Sequence, residues 1–240
     1  MKKENDIPVL IADLGRSGQG WLSYMLCYIL NARYIEPYDL LKGRDSSSEH
    51  IFSLTRGNLP GRERTKYSLV VKTHEYPAMD FNLTDKVICL SRDPRDVAVS
   101  FYNMQLVRSK KNKRLKDILL NCRIIHYLQT ARQWKNYYQC WDNRNYYKVK
   151  YEDLITAPVH TLKGILNYLQ VDGDDNLIKK AVEEFTFEKL SGRPRGKEDS
   201  SNLDFRKGIV GDYKSRFNKL ELFIFKIICC KQAKERGYSL

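Results

Sequence analysis

Nowhere does this 240-residue chain hold an apolar run long enough to cross a bilayer. The opening stretch, MKKENDIPVLIADLG, has basic residues but too few apolar ones before Asp13 interrupts them, so neither a signal peptide nor a membrane span is expected. Residues 222–230 are apolar but carry Lys226, which suits a buried C-terminal helix better than an anchor. The six cysteines include no C-x-x-C pair and no Cys/His ligand spacing. A zinc or redox motif is therefore not indicated, and the thiols read as reduced core residues of a cytoplasmic protein. There is no internal repeat. Acidic charge is also short: 29 acidic against 42 basic side chains leave +13, so the expected ligands are anionic, without deciding between nucleotide, glycan, nucleic acid and membrane surface. The length suits one α/β domain with a sizeable core, spanning residues 1–240.

What is present begins with IPVLIADLGRSGQGWL, residues 7–22. The apolar run Val9 to Ala12 stops at Gly15, Gly18 and Gly20, and apolar-periodic sequence resumes at Trp21 and Leu22. The pattern reads as strand, tight loop and helix. Such a loop brings backbone amides and a positive helix end toward an anion, most often a phosphate, although a glycine turn that binds nothing has the same pattern. No Lys-Ser or Lys-Thr pair follows the last glycine, so the strict ATP-type loop is not met.

Trp21 to Leu30 continues as a helix with Leu22, Met25, Leu26 and Ile29 on one face. Residues 34–67 are polar and irregular, the composition of a loop over a site. Short strands follow at Leu69 to Val71, ending in Lys72-Thr73-His74, and at Val87 to Leu90, ending in Ser91-Arg92-Asp93-Pro94. Pro94 opens a helix holding Val97, Val99 and Phe101. The basic run 107–117 is either a solvated segment or a contact for an acidic acceptor. Ile118, Cys122, Ile125 and Leu128 space out a long helix to about Gln139, with His126 inside it as a packed or surface residue. A fourth strand runs from Tyr146 to Tyr151. Pro158 starts a helix with the stripe Leu162, Ile165, Leu166 and Leu169, and residues 174–190 give short helices. Residues 191–201 read as a flexible loop, and a closing helix runs from about Asn218 to Arg236, with Gly237 capping it. The strands deliver basic or polar residues at their carboxyl ends, the edge at which parallel sheets bind ligands.

Four blocks in order resemble the sulfotransferases that use 3′-phosphoadenosine-5′-phosphosulfate (PAPS). Residues 14–22, LGRSGQGWL, resemble the family's P-K-S-G-T-T-W-L loop, and Lys72-Thr73-His74 its strand-end K-T-H. Residues 92–100, RDPRDVAVS, resemble R-N-P-K-D-V-A-V-S, and Arg206-Lys207-Gly208 with Gly211-Asp212-Tyr213 resembles R-K-G-x-x-G-D-W. The resemblance implies a P-loop NTPase-like, three-layer α/β domain with a central parallel sheet of about five strands. It also implies PAPS as co-substrate, with no metal. The loop from Arg16 through Ser17, Gly18, Gln19 and Gly20 would then hold the 5′ phosphosulfate, with the Ser17 and Gln19 side chains as added donors. Arg92, Ser100, Arg206, Lys207 and the Gly208 amide would hold the 3′-phosphate. Trp21 and Phe187 match the positions that stack on adenine, or else pack in the core, and Tyr151 matches a hydrogen-bonding tyrosine.

On that resemblance the reaction is in-line transfer of a sulfuryl group to a hydroxyl of a glycan or small molecule. His74 serves as base because an imidazole titrates near neutral pH, with Glu75 the fallback carboxylate. Arg16 and Lys72 would offset charge on the departing phosphate. Arg16 stands where cytosolic members carry lysine; it keeps the charge but is not a proton donor. Gln19 and Gly20 replace two threonines, and Tyr213 a tryptophan. Acceptor loops are expected at 35–66, 75–85 and 104–116, with no nucleic acid as partner and no membrane span. A P-loop-type nucleotide kinase and a non-catalytic polyanion-binding protein of the same fold remain the competing functions.

Overall fold

A computed structural model describes residues 7–35, 59, 61–63, 65–77, 84–112, 122–142, 144–199 and 205–240. The loop proposed to cover a site at 36–58, the part of the basic run beyond Asn112, and most of the expected acceptor loops lie outside the described residues. The chain divides into two compact units, Met1–Ser91 with Arg144–Thr186, and Arg92–Asn143 with Phe187–Leu240.

The first unit is built on a sheet of five parallel strands in the order β2-β3-β1-β4-β5. β1 is Ile7–Ala12, β2 Arg33–Ile35, β3 Tyr67–Thr73, β4 Val87–Ser91 and β5 Tyr147–Lys150. β1 is central because its residues from Val9 to Ala12 are apolar without alternation and fully buried, the pattern of a strand covered on both faces. β2 was not legible: three residues with a single charged and two apolar side chains carry no periodicity of their own, and pairing with β3 makes the strand. The fourth strand of the sequence ends one residue early, at Lys150, and Tyr151 opens a helix instead.

Helix α1, Gln19–Leu30, begins two residues before the first apolar position and buries Leu22, Met25, Leu26 and Ile29 as expected. Its carboxyl end is held by Arg62, whose guanidinium donates to the carbonyls of Tyr28 and Ile29 at 2.7 and 2.8 Å. In the second unit α2, Pro94–Asn112, opens at its proline and buries Val97 and Val99. Helix α3, Arg123–Trp141, turns a different face inward from the one its aliphatic spacing suggests. Cys122 and Ile125 are exposed, and the buried stripe is Tyr127, Thr130, Ala131, Trp134, Tyr137, Tyr138 and Trp141. The reason is size: an aromatic buries more apolar surface than an isoleucine, so the aromatic face wins the interior. Four short or medium helices follow: α4, Tyr151–Thr156; α5, Pro158–Leu169; α6, Asp175–Glu184; and α7, Phe187–Ser191. The stripe of α5 is the one read from the sequence.

After a 3-10 turn at Asp212–Ser215 comes α8, Lys219–Glu235. Asn218 and Glu221 cap it reciprocally, each side chain accepting from the other's backbone amide at 2.9 and 2.8 Å. Beyond it Gly237 takes φ 73, and the amide of Tyr238 returns to Ala233 O, closing the helix. Its apolar residues are divided rather than buried throughout: Phe225, Cys229 and Ala233 face α3 and the core, while Leu220, Leu222, Phe223 and Ile227 are exposed. The cysteines divide likewise, with Cys27, Cys89 and Cys229 buried and Cys122, Cys140 and Cys230 exposed. Among the described residues no helix is long and apolar enough to cross a membrane.

The α5 stripe supplies a stability test. Ile165→Ala, at a position with no exposed surface, is expected to cost about 2–5 kcal/mol, read as a lower urea midpoint with unchanged slope. A change under about 0.5 kcal/mol would show that α5 does not pack as described.

Candidate active site

In the first unit the sheet register aligns the strand ends. Ala12 lies opposite Thr73 of β3 and Cys89 of β4, so the chain leaves β1 at Asp13 and β3 at His74 on the same edge. From the central β1 the chain first goes outward to β2 and then reverses across the sheet through β3, β4 and β5, and ligands bind such sheets at the carboxyl edge where the strand order reverses.

The loop after β1 is wound tightly. Gly15 and Gly18 take φ 109 and 85, and Arg16, with φ 63, adopts the left-handed region that costs an L-residue on the order of 1 kcal/mol. Gly18 is the N-cap of α1 and offers no side-chain cap, and the first turn of the helix has no acidic residue, leaving its positive end uncompensated. A side chain at Gly18 is excluded twice, by φ and because a Cβ there would stand 2.7 Å from Cδ2 of the buried Tyr151. Tyr151 in turn meets the edge of Trp21, with ring centroids 6.3 Å apart, and Trp21 Nε1 donates to Phe185 O at 2.6 Å.

Gln19 differs from the sequence reading. Its side-chain amide donates to Ile11 O and Thr73 O at 2.6 and 3.0 Å, stitching β1 to β3, and is buried there. It is therefore not an added donor for the loop; a long amide beside two strand ends satisfies main-chain carbonyls first. Ser17, fully buried, donates its hydroxyl to Gly15 O at 3.4 Å and its amide to Asp13 Oδ2 at 3.3 Å.

Asp13 was passed over in the sequence as an interruption of an apolar run. Its side chain has no exposed surface, its amide donates to Thr73 O, and its Oδ1 lies 2.8 Å from His74 Nδ1. The same nitrogen is 3.0 Å from the Asp13 carbonyl. Burial pulls the His74 pKa down, but the hydrogen bonds and negative charge of Asp13 outweigh it, and the result lies above the ordinary histidine value; Lys72 opposes weakly. The imidazole is about half exposed, and so open to an acceptor. Lys72, on β3, sits with its ammonium 5.8 Å from the ring centre of Tyr34. Glu75 caps back locally, its amide on Thr73 Oγ1 at 3.0 Å.

The second unit carries the other basic residues. Arg92 donates to Ile209 O at 2.8 Å and lies 3.7 Å from Asp96. Asp96 accepts from the amides of Gly211 and Tyr213 at 2.7 and 3.0 Å, pinning the C-terminal loop to the first turn of α2. Burial raises the Asp96 pKa, with Arg92 and the two amides resisting the shift. Ser100 is buried one turn further along α2. Arg206 pairs with Glu198 and Asp212, and Lys207 with the same two carboxylates. Burial raises the Asp212 pKa, but hydrogen bonds from Lys207 and Arg206 more than reverse it, so Asp212 stays ionised. Arg206 Nε is buried without a hydrogen-bond acceptor among the described residues. Gly208, with φ 66, abuts the ring of Phe187, leaving no space for a Cβ, while the guanidiniums of Arg193 and Arg195 lie 5.2 and 5.4 Å from the same ring centre.

The segment read as a flexible loop is tied down where it is described. Arg193 donates to Arg206 O, Arg195 to Gly208 O, and the amide of Gly196 to Lys207 O. Asp96 and Asp212 stand inside the motif blocks but were given no role, and Glu198, like Asp13, was not singled out from the sequence. Glu198 lies eight residues from the Arg206 it holds, whereas Asp13 lies 61 residues from His74 and had no such hint.

The first unit thus joins Ser17, Gly18, Trp21, Tyr151 and His74 around one loop, and the second joins Arg206, Lys207, Gly208 and Phe187, with Arg92 bonded to the adjoining Ile209. Known proteins resemble this chain in sequence and fold. A family model described as "Sulfotransferase domain" matches residues 6–236. Sulfotransferase 1B1 of Mus musculus is 25% identical over 252 residues, covering 93% of this chain and 82% of its own. Among solved structures, mouse sulfotransferase SULT7A1 complexed with PAP superposes with a TM-score of 0.61 at 19% identity, covering 98% of this chain and 86% of that one. Retinol dehydratase in complex with androsterone and inactive cofactor PAP gives 0.60 at 18%, covering 98% and 82%. The four blocks, the parallel sheet and the family match agree, and the chain belongs to the PAPS-dependent sulfotransferase family.

Proposed function

We propose that residues 1–240 act as one cytoplasmic catalytic domain that moves a sulfuryl group from PAPS to a hydroxyl of a glycan or small molecule, with His74 as base. The observation that carries the reading is the loop opening α1: a left-handed Gly18 pressed on Tyr151, an uncapped helix end, and His74 fixed beside it through Asp13. The group fits these residues, because an uncompensated helix terminus lined by glycine favours an anion held by backbone amides. The amides of Gly18, Gln19 and Gly20, with Ser17, are assigned to the 5′ phosphosulfate. Arg92, Ser100, Arg206, Lys207 and Gly208 are assigned to the 3′-phosphate, for which the buried, unsatisfied Arg206 Nε is a suitable donor. Trp21 and Phe187 are assigned to stacking on adenine and Tyr151 to its edge. That a relative by fold was solved with androsterone and PAP favours a small hydroxylated acceptor. A glycan remains consistent with the +13 charge.

In the reaction the acceptor oxygen attacks sulfur while its proton passes to His74. The bond from sulfur to the bridging phosphate oxygen breaks, and the electron pair stays on that oxygen, leaving PAP. Arg16 and Lys72 lie on the loop and strand nearest the developing charge and lower its energy electrostatically. No metal is required in this scheme.

Labelled-sulfate transfer from PAPS to a panel of phenols, steroids and glycans is expected to find an acceptor. His74→Ala is expected to lower turnover about 10²–10⁴-fold, the usual contribution of a positioned base; unchanged turnover would remove His74 from that role. Gly18→Ala forces a side chain into a left-handed cap against Tyr151. Strain of about 1–3 kcal/mol is expected to weaken PAP binding roughly tenfold or more by calorimetry. Full affinity in that variant would show that the loop does not hold the nucleotide.

A further inference from the structure

Asp13 does more than end β1. We infer that its buried carboxylate is a positioning residue for His74: it fixes the imidazole with Nδ1 protonated, presents Nε2 as the nitrogen that takes the acceptor's proton, and couples that ring to the nucleotide loop through Ser17. This rests on the sulfotransferase reading of the site and goes beyond it.

The tautomer follows from elementary hydrogen bonding. His74 Nδ1 has two neighbours, Asp13 Oδ1 at 2.8 Å and Asp13 O at 3.0 Å. A main-chain carbonyl only accepts, so the Nδ1 bonded to it must carry the hydrogen. The lone pair then sits on Nε2, across the ring, on an imidazole that is about half exposed. The deprotonation balances: the acceptor hydroxyl gives its proton to Nε2 and its electron pair to sulfur, and the ring becomes an imidazolium whose Nδ1–H still faces Asp13.

Rigidity comes from the other end of the same group. Asp13 has no exposed surface, Oδ2 accepts from the Ser17 amide at 3.3 Å, and its own amide is paired with Thr73 O across the sheet. Hydrogen-bonded at Oδ2 and at its backbone amide, and enclosed on all sides, the carboxylate is held in place, with Oδ1 and the main-chain carbonyl both against the ring. The geometry also joins the base to the turn bearing Arg16 and Gly18, so a loop that moves on binding nucleotide moves the base with it.

Among the described residues the charged groups that act on the ring are Asp13 and Lys72, in opposite senses. Because the Asp13 contribution prevails, the folded-state pKa is raised. The stability that the pair contributes is therefore fully present below about pH 6.5, the ordinary histidine value, and fades as pH rises through the raised value.

The test is nitrogen-15 NMR of the full chain with labelled histidine. The chain has four histidines, and His74→Gln identifies the signal. The expected spectrum above the midpoint shows Nδ1 protonated and Nε2 bare, with a wild-type midpoint above 6.5; in Asp13→Asn the midpoint moves down. A neutral ring protonated on Nε2, a wild-type midpoint at or below that value, or a midpoint unchanged in Asp13→Asn would each overturn the inference. The wild-type measurements stand even if the variant fails to fold. They need no nucleotide, so failure of the sulfotransferase reading shows separately, as absence of saturable PAP binding to the wild-type chain.

Discussion

One buried carboxylate at the end of the central strand constrains the chemistry of the first unit. Asp13 has no exposed surface, and an ionised group in that position is tolerated only when it is paired and hydrogen-bonded. Its partners are the Ser17 amide and the His74 ring, so the requirement that satisfies the carboxylate also shapes the glycine loop and orients the imidazole. The sheet register makes this possible, since parallel pairing of β1 with β3 brings Ala12 opposite Thr73 and places the next residue of each strand on one edge. Core packing, strand order and site geometry are thus consequences of one pairing pattern.

The second unit meets the same constraint with the signs reversed. Three of its candidate site residues are cations, and each is held by carboxylates: Arg206 and Lys207 by Glu198 and Asp212, Arg92 by Asp96. Such pairing lowers the net charge of the cluster but fixes each side chain in advance, so that less conformational entropy is lost when an anion arrives. Aromatic packing supports it, since Trp134 of α3 donates to the carbonyl of Arg92 at 3.1 Å and Asp96 holds the C-terminal loop by two amides. A large positive charge on the whole chain is therefore compatible with locally balanced sites.

What was legible in the sequence were the features set by local chemistry. Glycine spacing marked the loop, prolines marked the starts of α2 and α5, and uniform hydrophobicity marked β1. The Leu162-Ile165-Leu166-Leu169 stripe gave α5 its buried face. Features set by partners distant in sequence were not legible. β2 exists because β3 pairs with it, and α3 turns by the bulk of its aromatics rather than by its aliphatic spacing. The Gln19 side chain faces carbonyls contributed by two strands 62 residues apart in partner position, Ile11 and Thr73. Asp13 looked like a break in an apolar run because its partner, His74, is 61 residues away. The motif blocks are contiguous and could therefore be read from the sequence, whereas the carboxylates that hold their residues act through space and were given no role.

The central claim is that this chain recognises an adenosine bearing phosphates at both the 3′ and 5′ positions. Calorimetric titration of the full chain with PAP, with AMP and with ATP tests it most directly. The account predicts saturable PAP binding at least about tenfold tighter than AMP or ATP, since the 3′-phosphate adds at least one charge-assisted contact worth about 1.5–3 kcal/mol. Equal affinity for all three, or a preference for ATP, would contradict it.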